Sequence, residues 1–130
     1  MKNIWKKGGI KTFIRTVRLE DIAEFEAGEV HAFYSTFALS RDAEWAGRLF
    51  VLEMLESDEE GIGTSLQVTH RSPALVGQEV VITSVIDAIE KNKITCSFTA
   101  KVKDRVVATG TTGQMILKKE QVNLIEEKAK

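Results

Sequence analysis

The twenty residues from Thr36 to Leu55, TFALSRDAEWAGRLFVLEML, limit the possible folds more than any other stretch of the chain. Ala43, Ala46, Gly47, Phe50, Met54 and Leu55 recur at three- and four-residue intervals, and Leu49, Val51 and Leu52 widen that apolar face almost to a full wrap. A helix of this kind has to be buried on most of its sides, so the rest of the chain must surround it. Ser40 suits the N-cap, since its hydroxyl can accept from a first-turn amide, and Asp42 places negative charge at the positive end of the helix dipole. The expected helix therefore begins near Arg41. That puts Glu44 in its first turn, followed at once by Trp45, and leaves Thr36 in the lead-in.

The flanking sequence reads as strands. Ile10 to Arg18, IKTFIRTVR, alternates with Ile10, Thr12, Ile14 and Thr16 on one side and Phe13 and Val17 on the other. LEDIAEFEAGEV changes period, with Leu19, Ile22 and Phe25 at helical spacing and Gly28 as a stop, which predicts a short helix or ordered turn able to act as a lid. SDEEGIG reads as a charged turn, and TSLQVTHRS resumes alternation with Leu66, Val68 and His70 on one face. Beyond Pro73 and Gly77, three strand-like runs, Glu79 to Ile89, Ile94 to Val102 and Val106 to Leu117, form a meander with turns at EKNK and VKDR. The tail from Lys119 predicts a short amphipathic helix or a frayed end.

This order predicts an α+β fold in which an antiparallel sheet wraps around one long helix, the hotdog arrangement. Residues 1–130 are expected to form one domain, because a chain of 130 residues with 43% hydrophobic content builds one core. A sheet with open edges is commonly covered by pairing with a second copy, so at least a homodimer is expected.

Composition narrows the function. Eighteen Lys and Arg against nineteen Asp and Glu, scattered along the chain, make no electrostatic case for nucleic acid. Cys96 is the single cysteine, which excludes an intrachain disulfide and a thiolate cage and fits a reducing cytoplasm. No apolar run has the length of a membrane span, and MKNIWKKGGIK lacks the apolar core of a signal peptide. A cytoplasmic location with no membrane partner is expected. The glycines of GIG and GTTG do not sit in a βαβ context, so they read as turns and close packing rather than a nucleotide fingerprint. Lys101, Lys103 and Arg105 could meet phosphates, although a solvated strand face is the ordinary outcome for such a cluster.

Three polar residues remain. His70 lies mid-strand on the apolar side, where a neutral core histidine is the usual reading, whereas His31 reads as a surface or loop histidine. Glu44 alone fits a glutamate complementing the helix dipole, and Thr36 alone fits a turn or cap. Trp45 and Phe50 read as core. Taken together, a hydroxyl, a carboxylate and an imidazole are what is needed to orient and deprotonate a nucleophile or a water.

Thr36 followed eight positions later by Glu44 in EWA, then Gly63-Thr64 and LQVTHRSPALVG, resembles the hotdog thioesterase family typified by fluoroacetyl-CoA thioesterase. The resemblance extends from Phe33 to Leu117. It implies Thr36, Glu44 and His70 as catalytic residues, Gly63 as an amide donor to the thioester carbonyl, and Gln114 at a substrate position where the fluoroacetyl-specific member carries arginine. It also implies a small acyl-CoA substrate, with CoA as part of the substrate and no separate cofactor or metal. From Glu24 to Val30 Phe25 is the only aromatic residue, so the gating aromatics of that member have no match. Two rivals accompany this reading, a hydroxyacyl-thioester dehydratase and a non-catalytic acyl-CoA binding or sensing module.

Overall fold

The computed structural model describes residues 1–25 and 28–130, with the side chains of Phe25, Glu29 and Val30 outside the description. Five strands form one antiparallel sheet in the order β1-β5-β6-β7-β4: β1 (Ile10–Thr16), β4 (Glu59–His70), β5 (Glu79–Glu90), β6 (Lys93–Val102) and β7 (Arg105–Lys118). The helix α1 (Thr36–Met54) packs on its inner face, giving the expected hotdog fold. A separate hairpin of β2 (Ile22–Phe25) and β3 (Gly28–Tyr34) precedes α1, and α2 (Lys119–Ala129) ends the chain without a buried residue.

The alternation seen in the sequence sets which face of each strand is buried. On β5 and β6, Val80, Ile82, Ile86, Ile94, Cys96, Phe98 and Ala100 all point inward and are almost wholly buried. They meet Leu39, Ala43, Ala46, Phe50, Val51 and Met54 of α1, which are equally buried. Small residues at positions 38, 43, 46 and 47 let the helix settle close to the sheet; a side chain on Gly47 would strike the Thr112 hydroxyl of β7. Toward the C-terminal end of α1, Trp5 packs edge-on against Phe50, with ring centroids 4.9 Å apart.

Four expectations are corrected. The helix starts five residues before Arg41: Ser35, not Ser40, is the N-cap, and its hydroxyl accepts from the Ala38 amide at 3.0 Å. Glu44 therefore lies in the third turn. Of the short helix or ordered turn expected after β1, the structure has the turn, a single 3-10 turn at Leu19–Asp21, and the rest of the stretch enters the β2–β3 hairpin instead of a helix, since the Leu19, Ile22, Phe25 spacing fits either period over so short a run. SDEEGIG is not all turn, because Gly61 and Gly63 sit within β4 directly beneath α1, where a Cβ would meet Val51 and Glu44 respectively. Finally, α1 has one open face: Phe37 is 80% exposed, Leu52 42% and Trp45 41%, so Trp45 is not core, whereas Phe50 is.

Strand β4 is an edge of the sheet, antiparallel to β7 and running opposite in direction to α1. The start of α1 thus meets the end of β4, while Arg48 in the fourth turn donates to the Gly61 carbonyl at 3.1 Å and to Glu60 at 3.1 Å. Within β4 the register with β7 shifts between Gly63 and Ser65, leaving Thr64 as the extra residue of a bulge. No helix among the described residues is long and apolar enough to cross a membrane.

Candidate active site

Ser35 lies between the end of β3 at Tyr34 and the start of α1, and its backbone amide donates to the Asp21 carbonyl at 2.9 Å. This fixes Thr36 as the first helical residue, at the positive end of α1. Its hydroxyl projects toward the end of β4 and lies 2.8 Å from Nε2 of His70. Either tautomer satisfies the bond, with the hydroxyl donating to a bare Nε2 or accepting from Nε2–H. His70 is exposed at a cavity of about 340 Å³ shared with His31, Tyr34, Thr36 and Arg71, so it is not a core histidine. Thr36 also lines a second cavity of about 590 Å³, between the β2–β3 hairpin and the helix start, together with Ile22, Ala23, His31 and Phe37.

Glu44 is held elsewhere. Eight residues of helix separate it from Thr36, a rise of about 12 Å. Its carboxylate lies over the Cα of Gly63 at the β4 bulge and lines a cavity of about 530 Å³ with Phe13, Arg15, Arg41, Trp45 and Arg48. Gly63 and His70 are themselves about 23 Å apart along β4. One chain therefore carries two separate clusters, Thr36 with His70 and Glu44 with Gly63. Gln114 is in the lining of none of these three cavities: buried in β7, it donates from Nε2 to the backbone carbonyl of Glu44 at 3.4 Å and so backs the helix at that turn.

Between the clusters runs an ionic network that the sequence reading did not find. Asp42, nearly fully buried, accepts from Arg15 through Nε and Nη2 at 3.1 Å each, from Arg41 at 3.0 and 3.1 Å, and from the Tyr34 hydroxyl at 2.5 Å. Asp21, also buried, accepts from Arg18 at 2.9 and 3.0 Å and from Arg41 at 3.1 Å. Burial pushes both carboxyls upward, but the guanidinium hydrogen bonds outweigh it and hold them below the ordinary range. Burial together with the Asp42 bond drives the Tyr34 hydroxyl well above its usual value, so it stays a donor. Arg41 ties both aspartates together and thereby anchors the start of the hairpin to α1. One signal was available in the sequence: Arg15 shares the inward phase of β1 with Phe13, and an inward arginine requires a buried partner.

His31 is exposed, as a surface histidine, and stands in β3 and not in a loop. Its Nδ1 accepts from the Phe33 amide at 3.2 Å, which leaves Nε2 as the hydrogen-bearing atom of the neutral ring, and the residue lines both cavities that meet at Thr36. Arg105 bolts β7 to the β4–β5 connection by donating to Ser72 at 2.8 Å and to the Pro73 carbonyl. The Glu24 to Val30 stretch, with the gating position, lies largely outside the described side chains.

Comparison with known proteins agrees with this architecture. No curated protein sequence matches the chain. A thioesterase superfamily member of Thermus thermophilus, itself a hypothetical protein, superposes with a TM-score of 0.91 at 30% identity, covering 95% of this chain and 92% of that one. A hot-dog-like protein from Thermanaerovibrio acidaminovorans gives 0.86 at 21% identity over 95% and 91% of the two chains. The fluoroacetyl-CoA thioesterase gives 0.87 at 20% identity over 97% and 98%, and point mutants of that protein have been solved in complex with fluoroacetate and CoA and with acetyl-CoA. The family described as fluoroacetyl-CoA-specific thioesterase matches residues 17–120, a span that holds both clusters, and the chain belongs to that family.

Proposed function

We propose that the protein hydrolyses a small acyl-CoA thioester to the free acid and CoA, at a site completed by a second copy of the chain. The observation that carries this reading is the 2.8 Å bond between the Thr36 hydroxyl and His70 Nε2 at the mouth of a cavity, a pairing suited to moving a proton beside a carbonyl. A carboxylate is the third group required, and Glu44 is the candidate, yet it sits too far along α1 to join them within one chain. Strand β4 is an unpaired edge whose residues 63 to 67 are exposed. Antiparallel pairing of β4 with its copy, centred between Leu66 and Gln67, sets Gly63 of one chain opposite His70 of the other. The Glu44–Gly63 cluster of each chain then faces the Thr36–His70 cluster of its partner.

In this arrangement the thioester oxygen is held by backbone amides at the Gly63 bulge, where the lack of a side chain permits close approach. Glu44 either attacks the carbonyl or takes a proton from an attacking water; in both routes the C–S bond breaks, CoA leaves as the thiol, and one water is consumed. His70 supplies or accepts the proton, and Thr36 holds its ring.

A thiol-release assay across acyl-CoAs, from acetyl and haloacetyl to malonyl, branched and aryl, tests the reading alongside Glu44→Gln and His70→Ala. Release that depends on both residues is the expected result. Release unchanged in both variants would sink the assignment, and tight binding without release would make the protein an acyl-CoA binding module.

A further inference from the structure

The cavity beside Glu44 is lined by three guanidinium groups, more hydrogen-bond donors than an acyl chain without polar groups requires. Arg15, Arg41 and Arg48 line it with Phe13 and Trp45, and the carboxylates in its wall are Asp42 and Glu44. Each guanidinium is fixed from behind. Arg15 is clamped by the buried Asp42 and lies over the Phe13 ring at 5.3 Å, Arg41 is shared between Asp21 and Asp42, and Arg48 is held by Glu60 and the Gly61 carbonyl. A guanidinium has five N–H donors in a planar fork, so these bonds leave Nη1 of Arg15, Nη1 of Arg41 and Nε of Arg48 with donors to spare. Preorganised donors of this kind recognise an oxyanion, most strongly a planar carboxylate.

We infer that this cavity takes the distal carboxylate of a dicarboxylic acyl group, so that the preferred substrates are short ω-carboxyacyl-CoA thioesters such as succinyl-CoA. The inference rests on the hydrolase reading, because that reading places the thioester at Glu44. The alternative anion, a phosphate of CoA, is the wrong distance away. Arg41 and Arg48 stand three and four residues either side of Glu44, about 4.5 and 6 Å along the helix, whereas the whole pantetheine arm separates the thioester from the diphosphate. Only the acyl end of the substrate can reach these arginines from Glu44. Phe13 and Trp45 supply the apolar walls for the intervening methylenes.

Succinyl-CoA and butyryl-CoA differ by a carboxylate in place of a methyl group, and their kcat/KM ratio reads the pocket directly. Wild-type protein is expected to favour succinyl-CoA by about tenfold or more, the scale of a charge-assisted hydrogen bond, and Arg48→Gln to remove most of that ratio. Equal kcat/KM for the two esters, or a ratio unmoved by both Arg48→Gln and Arg15→Gln in proteins that retain native circular dichroism, would overturn the inference. Calorimetry of the same two esters and of free CoA separates this outcome from failure of the hydrolase reading. If neither ester is cleaved, tighter binding of succinyl-CoA that is lost in Arg48→Gln still supports the pocket. An equal loss of affinity for both esters and for free CoA would assign the arginines to the phosphates and refute it.

Discussion

The carboxylate of Glu44 occupies the space that a side chain on Gly63 would fill, so the helix and the edge strand meet through the absence of one group and the presence of another. The contact is to the mobile end of an exposed side chain, which distinguishes it from the neighbouring contact of Gly61 with the fully buried Val51.

Gly63→Ala is therefore expected to displace the Glu44 carboxylate with little effect on folding, lowering thiol release by about tenfold or more, in keeping with the cost of misplacing a catalytic group. Gly61→Ala should behave oppositely, destabilising the fold by about 1–3 kcal/mol through overpacking against Val51. Chemical denaturation and initial rates measured on both variants check the pair; similar stability loss in the two would contradict the distinction.

Mixing Glu44→Gln chains with His70→Ala chains tests the two-copy site. Each mixed dimer holds one site with all groups intact and one with neither, so random reassortment of two inactive proteins should restore about one quarter of wild-type release. No recovery after dissociation and reassociation would require all three groups to act within a single chain.

The Asp21–Arg18–Arg41–Asp42–Arg15 network ties stability to acid. Both carboxyls are held below their ordinary value of 3.8, so their contribution is complete above that value and is lost as pH falls through the lower folded values. Thermal midpoints should be insensitive to this network from pH 7 to about 5 and should decline below about pH 4. Asp42→Ala, which leaves Arg15 without its buried partner and Arg41 with Asp21 alone, should cost about 3–5 kcal/mol and flatten that decline. A variant with the same acid slope as wild type would place the titration elsewhere.

Ser35→Ala removes the cap that fixes where α1 begins. A loss of about 0.5–2 kcal/mol is expected. Because Thr36 is the next residue, kcat should fall as well, while Ser40→Ala, well inside the helix, should leave kcat unaltered. Equal effects at the two serines would return the start of the helix to Arg41.

Much of this architecture is legible in the sequence because burial imposes a period on it. The meander of β5, β6 and β7 and the burial of Phe50 and Met54 follow from alternation and helical spacing alone. The start of α1 is not legible in the sequence because Ser35 and Ser40 both satisfy the capping rule, and what separates them is the Asp21 carbonyl held against Ser35, a contact between residues distant in the chain. Trp45 misled in a similar way, since an aromatic residue in an apolar helix carries no mark of facing outward. Thr36, Glu44 and His70 stand out in the sequence as a hydroxyl, a carboxylate and an imidazole and, together with Gly63, by resemblance to a family, and neither signal says how they divide into two clusters. That division follows from the lengths of α1 and β4, which only the folded chain relates to each other. Asp42, read as a partner for the helix dipole, is instead the buried hub of an ionic network, because Arg15 reaches it from a strand 27 residues earlier.

Thr36 and Glu44 ride on one uninterrupted helix, and Gly63 and His70 on one strand. Inserting a single residue between the first two would turn Glu44 by about 100° away from Gly63, and inserting one between the second two would send His70 to the opposite face of the sheet. The turns at Lys91 and Lys103 lie outside both elements and can lengthen without altering either interval. Length variation in such a chain is therefore confined by its geometry: tolerated at the far hairpins, and forbidden within the two rulers that space the candidate groups.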